Sequence, residues 1–450
     1  MAPKKITSIP NPNPSGNSIK GELPSMVRAL QHRNFQLFFG GQLISLIGTW
    51  MQSVAQSWLV YRLTNSAVLL GLVGFSSQIP VFLLAPWGGV VADRLNRRKI
   101  LVATQTIAMV LAFVLAVLTL TQRIHVWHLF VLSALLGLAN AFDIPTRQAF
   151  VVDMVGKEDL INAIALNSSM VNGARVVGPA IAGLLVAAVG EGWCFLLNAI
   201  SYIAVIAGLI AMNVRGHAPA ASRRSTLEHI AEGFSFVAKN APVRALLLLL
   251  GLVSLMGMPY AVLMPIFADR ILHGGAGGLG ILMGASGVGA LIGALTLAAR
   301  RGIRGLGRWV AISSAAFGLC LILFSLSRHF WLSAILLVPV GFFFMFEMSA
   351  SNTLVQSMVT DNLRGRVMAV YSMMFMGMAP VGALIAGGLA EPLGAPKTLA
   401  IGGAVCIVGG GIFALRLPAL RHEARKLLVS LEMAGGNPPD EMTSEHLSRS

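Results

Sequence analysis

The stretch Gly88–Lys99, "GGVVADRLNRRK", separates two long apolar segments of this chain. Its last seven residues, 93–99, hold one acid and four bases, although only 11% of the whole chain is charged and 56% is hydrophobic. Soluble proteins carry about 25% charged residues, so most of this chain is too apolar to face water. A short charged run between long apolar segments is typical of a loop that joins two membrane-spanning helices.

Apolar segments of about 20 residues recur along the chain, and each is long enough to cross a bilayer as a helix. The pattern predicts an all-α multi-pass membrane protein with twelve transmembrane helices. The predicted spans are residues 35–60, 67–92, 99–121, 126–149, 163–189, 193–212, 244–269, 278–299, 308–326, 330–354, 366–391 and 397–416. The predicted domains are a disordered cytoplasmic tail at 1–30, a six-helix bundle at 31–212, a cytoplasmic linker at 213–243, a second six-helix bundle at 244–416 and a cytoplasmic tail at 417–450.

Basic residues concentrate on one side of this predicted topology. If the N-terminus is cytoplasmic, the tails and the even-numbered loops hold 27 of the 33 lysines and arginines. Such an excess marks the cytoplasmic side, so we expect both termini inside and the protein in the cell (inner) membrane. The net charge of +15 then reflects contact with anionic headgroups rather than with nucleic acid. We expect the lipid bilayer and a small-molecule substrate as partners, and a monomeric protein.

The sequence shows no pattern that indicates catalysis or a bound cofactor. The nine histidines and three cysteines lack metal-ligand spacing, and the chain contains no Walker A, HExxH or GxSxG motif. We therefore expect no enzyme activity, no metal site and no cofactor.

The two halves of the chain resemble each other at a constant offset of 204 residues. With that offset, Asp143 in the fourth predicted span meets Glu347 in the tenth. The glycines that match are Gly137 with Gly341, Gly173 with Gly377, Gly178 with Gly382, and Gly183 with Gly387. The constant register indicates duplication of a six-span unit, the pseudo-symmetric architecture of one large class of secondary transporters.

The charged loop resembles a signature of the major facilitator superfamily (MFS), G-x-x-x-D-R/K-x-G-R-R/K. Its matching residues are Gly89, Asp93, Arg94, Arg97 and Arg98, with Asn96 where the signature has glycine. Asparagine tolerates left-handed backbone geometry, which predicts that the turn survives this change. The resemblance implies the MFS fold and a conformational latch formed by the five matching residues, in which Asp93 caps a neighbouring helix or pairs with an arginine. The alternative is a plain basic anchor at the membrane surface.

A second motif lies in the fifth predicted span, "NGARVVGPAIAGLL". Its residues Gly173, Gly178, Pro179 and Gly183 resemble the Gly-Pro motif of MFS exporters, although ordinary small-residue packing also explains the glycines. The sequences "FDIPTRQAFVVDMV" and "LINAIALNSSMVNGARVVGPAIAGLL" further resemble the enterobactin-exporter subgroup of transmembrane secretion permeases. This resemblance implies secondary active export of a small amphiphilic molecule, such as a siderophore or drug, by alternating access.

Three ionisable residues fall inside predicted spans: Asp143, Arg175 and Glu347. Charges within a bilayer cost about 2.5–3.5 kcal/mol on insertion scales and are commonly functional. Spans 1, 4, 7 and 10 line the cavity of MFS transporters, so the resemblance implies that both acids can face it. Glu347 is our first candidate for a proton carrier because its own helix holds no cation. Asp143 can instead form a permanent ion pair with Arg147 or Arg175, and Arg175 can serve structural pairing or attract an anionic substrate.

Gln52 and Gln56 lie one turn apart in the first predicted span. Such amides either line a cavity or join helices by hydrogen bonds, and we predict cavity lining. With Glu347, they favour proton-coupled export of a solute. Two other functions stay open: a proton-coupled nutrient importer, and a transporter-like lipid flippase or sensor with an apolar cavity.

Overall fold

A computed structural model describes residues 25–156, 158–213, 226–300 and 302–433. Within these ranges the regular structure is helical throughout, as predicted. Parts of the predicted tails and of the predicted linker, residues 1–24, 214–225 and 434–450, lie outside the described residues.

Fourteen α-helices make up the described part of the chain, after a 3₁₀ turn at Ser25–Gln31. In the first half they are α1 (Arg33–Thr64), α2 (Ala67–Arg94), α3 (Arg97–Leu120), α4 (Val126–Val155), α5 (Leu160–Val189) and α6 (Glu191–Ala211). The helix α7 (Thr226–Lys239) lies within the predicted linker and packs against α13. The second half holds α8 (Ala241–Met256), α9 (Tyr260–Ile266), α10 (Gly275–Ala298), α11 (Leu306–Leu326), α12 (Phe330–Ser357), α13 (Asp361–Leu393) and α14 (Ala395–Met433).

Eleven segments of the described chain are long and apolar enough to cross a membrane. One of them, Ala241–Ile271, combines α8, α9 and a π-helical turn at Phe267–Ile271, with the interruption beside Pro259. The remaining predicted span corresponds to α1, which has the length but falls short in hydropathy because it carries several glutamines and other polar residues. Since α1 packs along α5 and α6 over its length, we interpret it as the twelfth membrane helix.

Helix pairing repeats between the two halves. The helix α2 packs on α4 and α3 packs on α6. Correspondingly, α10 packs on α12 and α11 packs on α14. These are the same positions in each six-span unit, so the packing has the pseudo-symmetry that the sequence offset predicts. The two bundles meet mainly where α2 packs on α13 and α5 packs on α10.

The charged loop between α2 and α3 is shorter than predicted, because only Leu95 and Asn96 separate the helices. Asn96 is the N-cap of α3, and its side-chain oxygen accepts a hydrogen bond from the backbone nitrogen of Lys99 at 3.2 Å. Its backbone is extended, with φ −67° and ψ 108°. The connection between the helices is kept, but the backbone of Asn96 is not left-handed, and asparagine suits this position as a helix cap.

The last helix differs from the prediction in length. We expected the final span to end at 416, but α14 continues without interruption to Met433 despite Pro418 within it. Leu417, Leu420 and Ala424 pack against the second bundle, which explains why the helix persists beyond the apolar segment.

Close backbone approach sets the packing of α10 on α12, and it generates a prediction about two glycines of α10. A Cβ atom on Gly289 would lie 1.8 Å from the carbonyl oxygen of Val338, whereas a Cβ on Gly284 would meet its nearest neighbour, a carbonyl oxygen of Val176, at 3.8 Å. We expect Gly289→Ala to lower the melting temperature of the purified protein by several degrees, because overpacking costs about 1–3 kcal/mol. Gly284→Ala is the matched control and should leave it unchanged. Equal melting temperatures for the two variants would contradict this packing.

Candidate functional site

The charged loop is organised around Arg97. Its guanidinium contacts Asp153 of α4 at 3.0 Å and Asp93 of α2 at 3.4 Å, and it donates to the carbonyl oxygens of Ala92 and Ala149. Asp153, which sequence reasoning missed, is nearly buried, with 9% of its side chain exposed, while Asp93 is 55% exposed. Arg97 therefore joins α2, α3 and α4 within the first bundle.

The other predicted latch residues are placed less centrally. Arg98 donates a hydrogen bond to the carbonyl oxygen of Ile210 in α6, and Arg94 is exposed. Gly89 has open space at its Cβ position, and it is Gly88 that closely approaches the backbone of Ala141. The close approach to α4 is therefore made by the glycine adjacent to the one that matches the signature. The described contacts of the five residues stay within the first bundle, so the latch remains a prediction for another conformation.

Direct hydrogen bonds between the bundles lie at the opposite end of the helices. Tyr61 donates from its hydroxyl to Asp269 at 2.9 Å, and Arg270 donates to the backbone oxygen of Asn65 at 3.3 Å. Nearby, the hydroxyl of Ser66 lies 3.4 Å from a carboxylate oxygen of Glu391 in α13. We call these three contacts the inter-bundle tie. Polar residues at span ends signal such contacts only weakly, because their partners lie far away in sequence.

The Gly-Pro motif of α5 contributes to two different helix contacts. A Cβ on Gly178 would meet Trp50 of α1 at 2.5 Å, and one on Gly183 would meet Gly280 of α10 at 2.8 Å. Gly173 has no neighbour within 4 Å of its Cβ position, and Pro179 is buried inside α5. Gly183 therefore permits the close approach of the two bundles at the α5–α10 contact.

Asp143 is buried, with 2% of the residue exposed, and all its described partners lie in the first bundle. Arg147, one turn along α4, contacts it at 3.1 Å, while Thr104 and Gln105 of α3 donate to it at 2.9 and 2.8 Å. The predicted ion pair is therefore formed with Arg147 and not with Arg175. Because its oxygens are engaged between α3 and α4, Asp143 does not face the space between the bundles.

Glu347 is fully buried in the second bundle. Ser351 donates to one carboxyl oxygen at 3.3 Å, and the other oxygen has no hydrogen-bond partner in the described part of the chain. The thiol of Cys406 in α14 and the phenol of Tyr371 in α13 lie close enough to interact electrostatically with it. Glu347 is thus enclosed within the second bundle, and no cation pairs with it among the described residues.

The two glutamines of α1 point to different neighbours. Gln52 is buried and accepts a hydrogen bond from Asn198 of α6 at 2.7 Å, so it joins two helices instead of lining a cavity. Gln56 is partly exposed and donates to Ser133 of α4 at 2.6 Å. The prediction of a shared cavity-facing pair is wrong for Gln52, because α6 packs over that side of α1.

Arg175 occupies the middle of α5 and lies at the contact between the bundles. Its guanidinium carbon is 4.9 Å from the ring centroid of Trp50, and its backbone carbonyl is close to Gly287 of α10. Both Arg175 and Trp50 are partly exposed, although they lie deep in the helix array. These two side chains are therefore not completely enclosed by protein.

Comparison with solved structures identifies the fold. The nucleoside transporter NupG aligns with a TM-score of 0.66 at 16% identity, over 86% of this chain and 99% of that one. A POT family transporter in complex with 5-aminolevulinic acid aligns with a TM-score of 0.68 at 12% identity, over 86% and 96% of the two chains. The protein has the fold of the MFS transporters, which confirms the predicted class.

The chain belongs to the transmembrane secretion effector family, whose sequence profile matches residues 25–438. This makes it a multi-pass membrane transporter and not an enzyme, as expected.

Curated relatives cover most of the chain. It is 28% identical to the staphyloferrin A transporter of Staphylococcus aureus (strain NCTC 8325 / PS 47), over 82% of this chain and 93% of that protein. It is 25% identical to the enterobactin exporter EntS of Escherichia coli (strain K12), over 87% and 93%. The macrolide efflux protein A of Streptococcus pyogenes shares 27% identity over 53% of this chain and 60% of that protein.

The different settings of the two buried acids predict different effects on stability. Asp143→Asn leaves Arg147 without its counter-charge, and an uncompensated charge in a mostly buried site costs about 1–3 kcal/mol or more. We expect this variant to melt at a clearly lower temperature than the wild type. The matched change Glu347→Gln removes no cation's partner and should leave the melting temperature nearly unchanged. The reverse order in a thermal melt of the purified proteins would show that the pairing is assigned incorrectly.

Proposed function

We propose that this protein is a proton-coupled exporter of a small amphiphilic molecule, such as a siderophore or drug, and that it works by alternating access. The observation that carries the proposal is the one-sided joining of the bundles. The three hydrogen bonds of the inter-bundle tie join the first bundle to the second at one end of the helices. Arg175 and Trp50, near the middle of α5 and α1, are partly exposed. An alternating-access transporter that is closed on one side is expected to be joined at that end and to keep polar side chains between its bundles.

Export is supported by the Gly-Pro motif and by the relatives. Gly183 permits close contact between α5 and α10, where the bundles must move against each other. The names of the relatives describe an exporter of enterobactin, a transporter of staphyloferrin A and a macrolide efflux protein. We infer the same direction here, with the charged loop on the cytoplasmic side, both termini inside, the inner membrane as the location and a monomer as the working unit.

Glu347 is the proposed proton carrier. An ionised carboxylate without a cation in a buried site costs several kcal/mol, so the acid is best accommodated with its proton in this conformation. Opening of the second bundle toward water would favour release of the proton. A site that alternates between these environments couples proton movement to the conformational cycle.

The charged loop has a complementary proposed role. Arg97 holds Asp93 within the first bundle here, and the Asp93 side chain is largely exposed. When the cytoplasmic ends of the bundles approach each other, Asp93 becomes available to cap a helix of the second bundle. The loop would then stabilise the conformation in which the inter-bundle tie is broken.

Proton coupling is tested with reconstituted vesicles that contain the full chain. We expect transport of labelled enterobactin to rise several-fold when a pH gradient is imposed. Glu347→Gln should abolish this stimulation, because glutamine cannot carry a proton. Ser349→Ala is the control, because it changes another polar residue of α12 and should leave the stimulation by the pH gradient intact. Equal transport with and without a gradient in the wild type would exclude coupling.

Alternating access is tested by joining the bundles covalently at the tie. The hydroxyl of Ser66 lies 3.4 Å from a carboxylate oxygen of Glu391, so the thiols of Ser66→Cys combined with Glu391→Cys should be bridged by a short, reducible bis-thiol reagent. We expect the cross-linked double variant to lose transport and to regain it after reduction, while each single variant remains active after the same treatment. Full transport by completely cross-linked protein would rule out movement at this contact.

A further inference from the structure

Arg175 carries a positive charge that the described protein does not neutralise. The Nε atom of its guanidinium is buried without a hydrogen-bond partner, and no described acidic side chain lies within ion-pair distance of it. Trp50 covers the cation through its ring at 4.9 Å, which is a weaker interaction than a carboxylate would provide. An arginine with this little compensation is an open anion-binding group.

The acids of the surrounding helices are engaged elsewhere. Asp143 of α4 forms an ion pair with Arg147 and accepts hydrogen bonds from Thr104 and Gln105. Asp269, beyond α9, accepts from Tyr61 in the inter-bundle tie. Glu347 lies inside the second bundle beside Ser351. The cation in the middle of α5 therefore requires a partner from outside these helices.

Both bundles contribute to the surroundings of Arg175. Trp50 comes from α1, and Gly287 of α10 approaches its backbone so closely that a Cβ there would lie 2.8 Å from the carbonyl oxygen of Arg175. Tyr260 of α9 is near enough to interact electrostatically with the guanidinium, and its hydroxyl lies 2.6 Å from that of Ser286 in α10. A ligand bound here would contact moving parts on both sides, as a transported substrate must.

We propose that Arg175 binds a carboxylate group of the transported molecule, whose apolar part lies against Trp50. This inference rests on the proposed function and adds the substrate class: a small amphiphilic acid. The planar guanidinium can hold a carboxylate through two parallel hydrogen bonds while one face remains on the tryptophan ring. Cationic amphiphiles would be repelled at this position, and neutral ones would gain nothing from it.

A purely structural Arg175 would hold Trp50 in place without recognising an anion. The two roles differ in how binding depends on the charge of the ligand. Titration calorimetry on the purified full chain in detergent, with a micelle-only blank, can measure this with three matched pairs of probes: octanoate and octanamide, salicylate and salicylamide, and citrate and citramide.

We expect at least one acid to bind the wild type about tenfold or more tightly than its amide, since a charged hydrogen-bonded pair contributes that much. Arg175→Gln should reduce this ratio to near one, and Arg175→Lys should restore part of it. Arg328→Gln is the matched control, because Arg328 bonds only to the backbone oxygens of Ser325 and Ser327 among its described contacts and lies far along the chain. Melting temperatures of all variants show that they are folded.

Two results would overturn the proposal. One is a ratio near one for all three pairs in the wild type, including the case in which no acid binds. The other is a ratio that Arg175→Gln leaves unchanged. Either result leaves export itself intact, because vesicle transport of enterobactin is measured separately. If instead the acid preference follows Arg175 but no probe is transported in vesicles, the binding site stands and the proposed transport function fails.

Discussion

The high cost of an uncompensated charge inside a lipid-embedded helix bundle is the constraint on which this structure depends. Most ionisable groups avoid the cost by lying in loops and at helix ends, where water or a partner is available. The ionisable groups that remain inside either form ion pairs or lack a partner, and the unpaired ones are candidates for function. Arg97 and Asp153 satisfy each other near the end of α4, and Arg147 satisfies Asp143 within it. These pairs hold helices of one bundle together and leave the bundle able to move as a unit.

Glu347 and Arg175 are the two interior charges that lack such a partner in the described structure, and they lie in different places. Glu347 is sealed among helices of the second bundle, whereas Arg175 is partly exposed between the bundles. A sealed acid can be accommodated by holding a proton, which arginine cannot release at any ordinary pH. This difference is the physical basis of the two proposed roles, proton handling for Glu347 and anion binding for Arg175.

The two bundles are joined by contacts that can be broken at a small cost in free energy. Glycine contacts such as Gly183 with Gly280 bring the helices close without interlocking side chains. The inter-bundle tie consists of a few hydrogen bonds at helix ends, where water can replace them. Replaceable contacts between the bundles favour their movement against each other. The proposed proton release from Glu347 additionally requires the helices of the second bundle to open toward water.

The sequence by itself determined the membrane class, the helices, the duplication and the motifs, because apolar length, charge asymmetry and residue spacing are local properties that lipid enforces directly. It also indicated Asp143 with Arg147, since the two share one helix face. Only the tertiary structure decided that Gln52 bonds to Asn198, that Gly88 rather than Gly89 approaches α4, and that Arg175 lacks an acid among the described residues. Those outcomes depend on which helices become neighbours and on their rotation about their axes, and residues far apart in a chain carry no local signal of either.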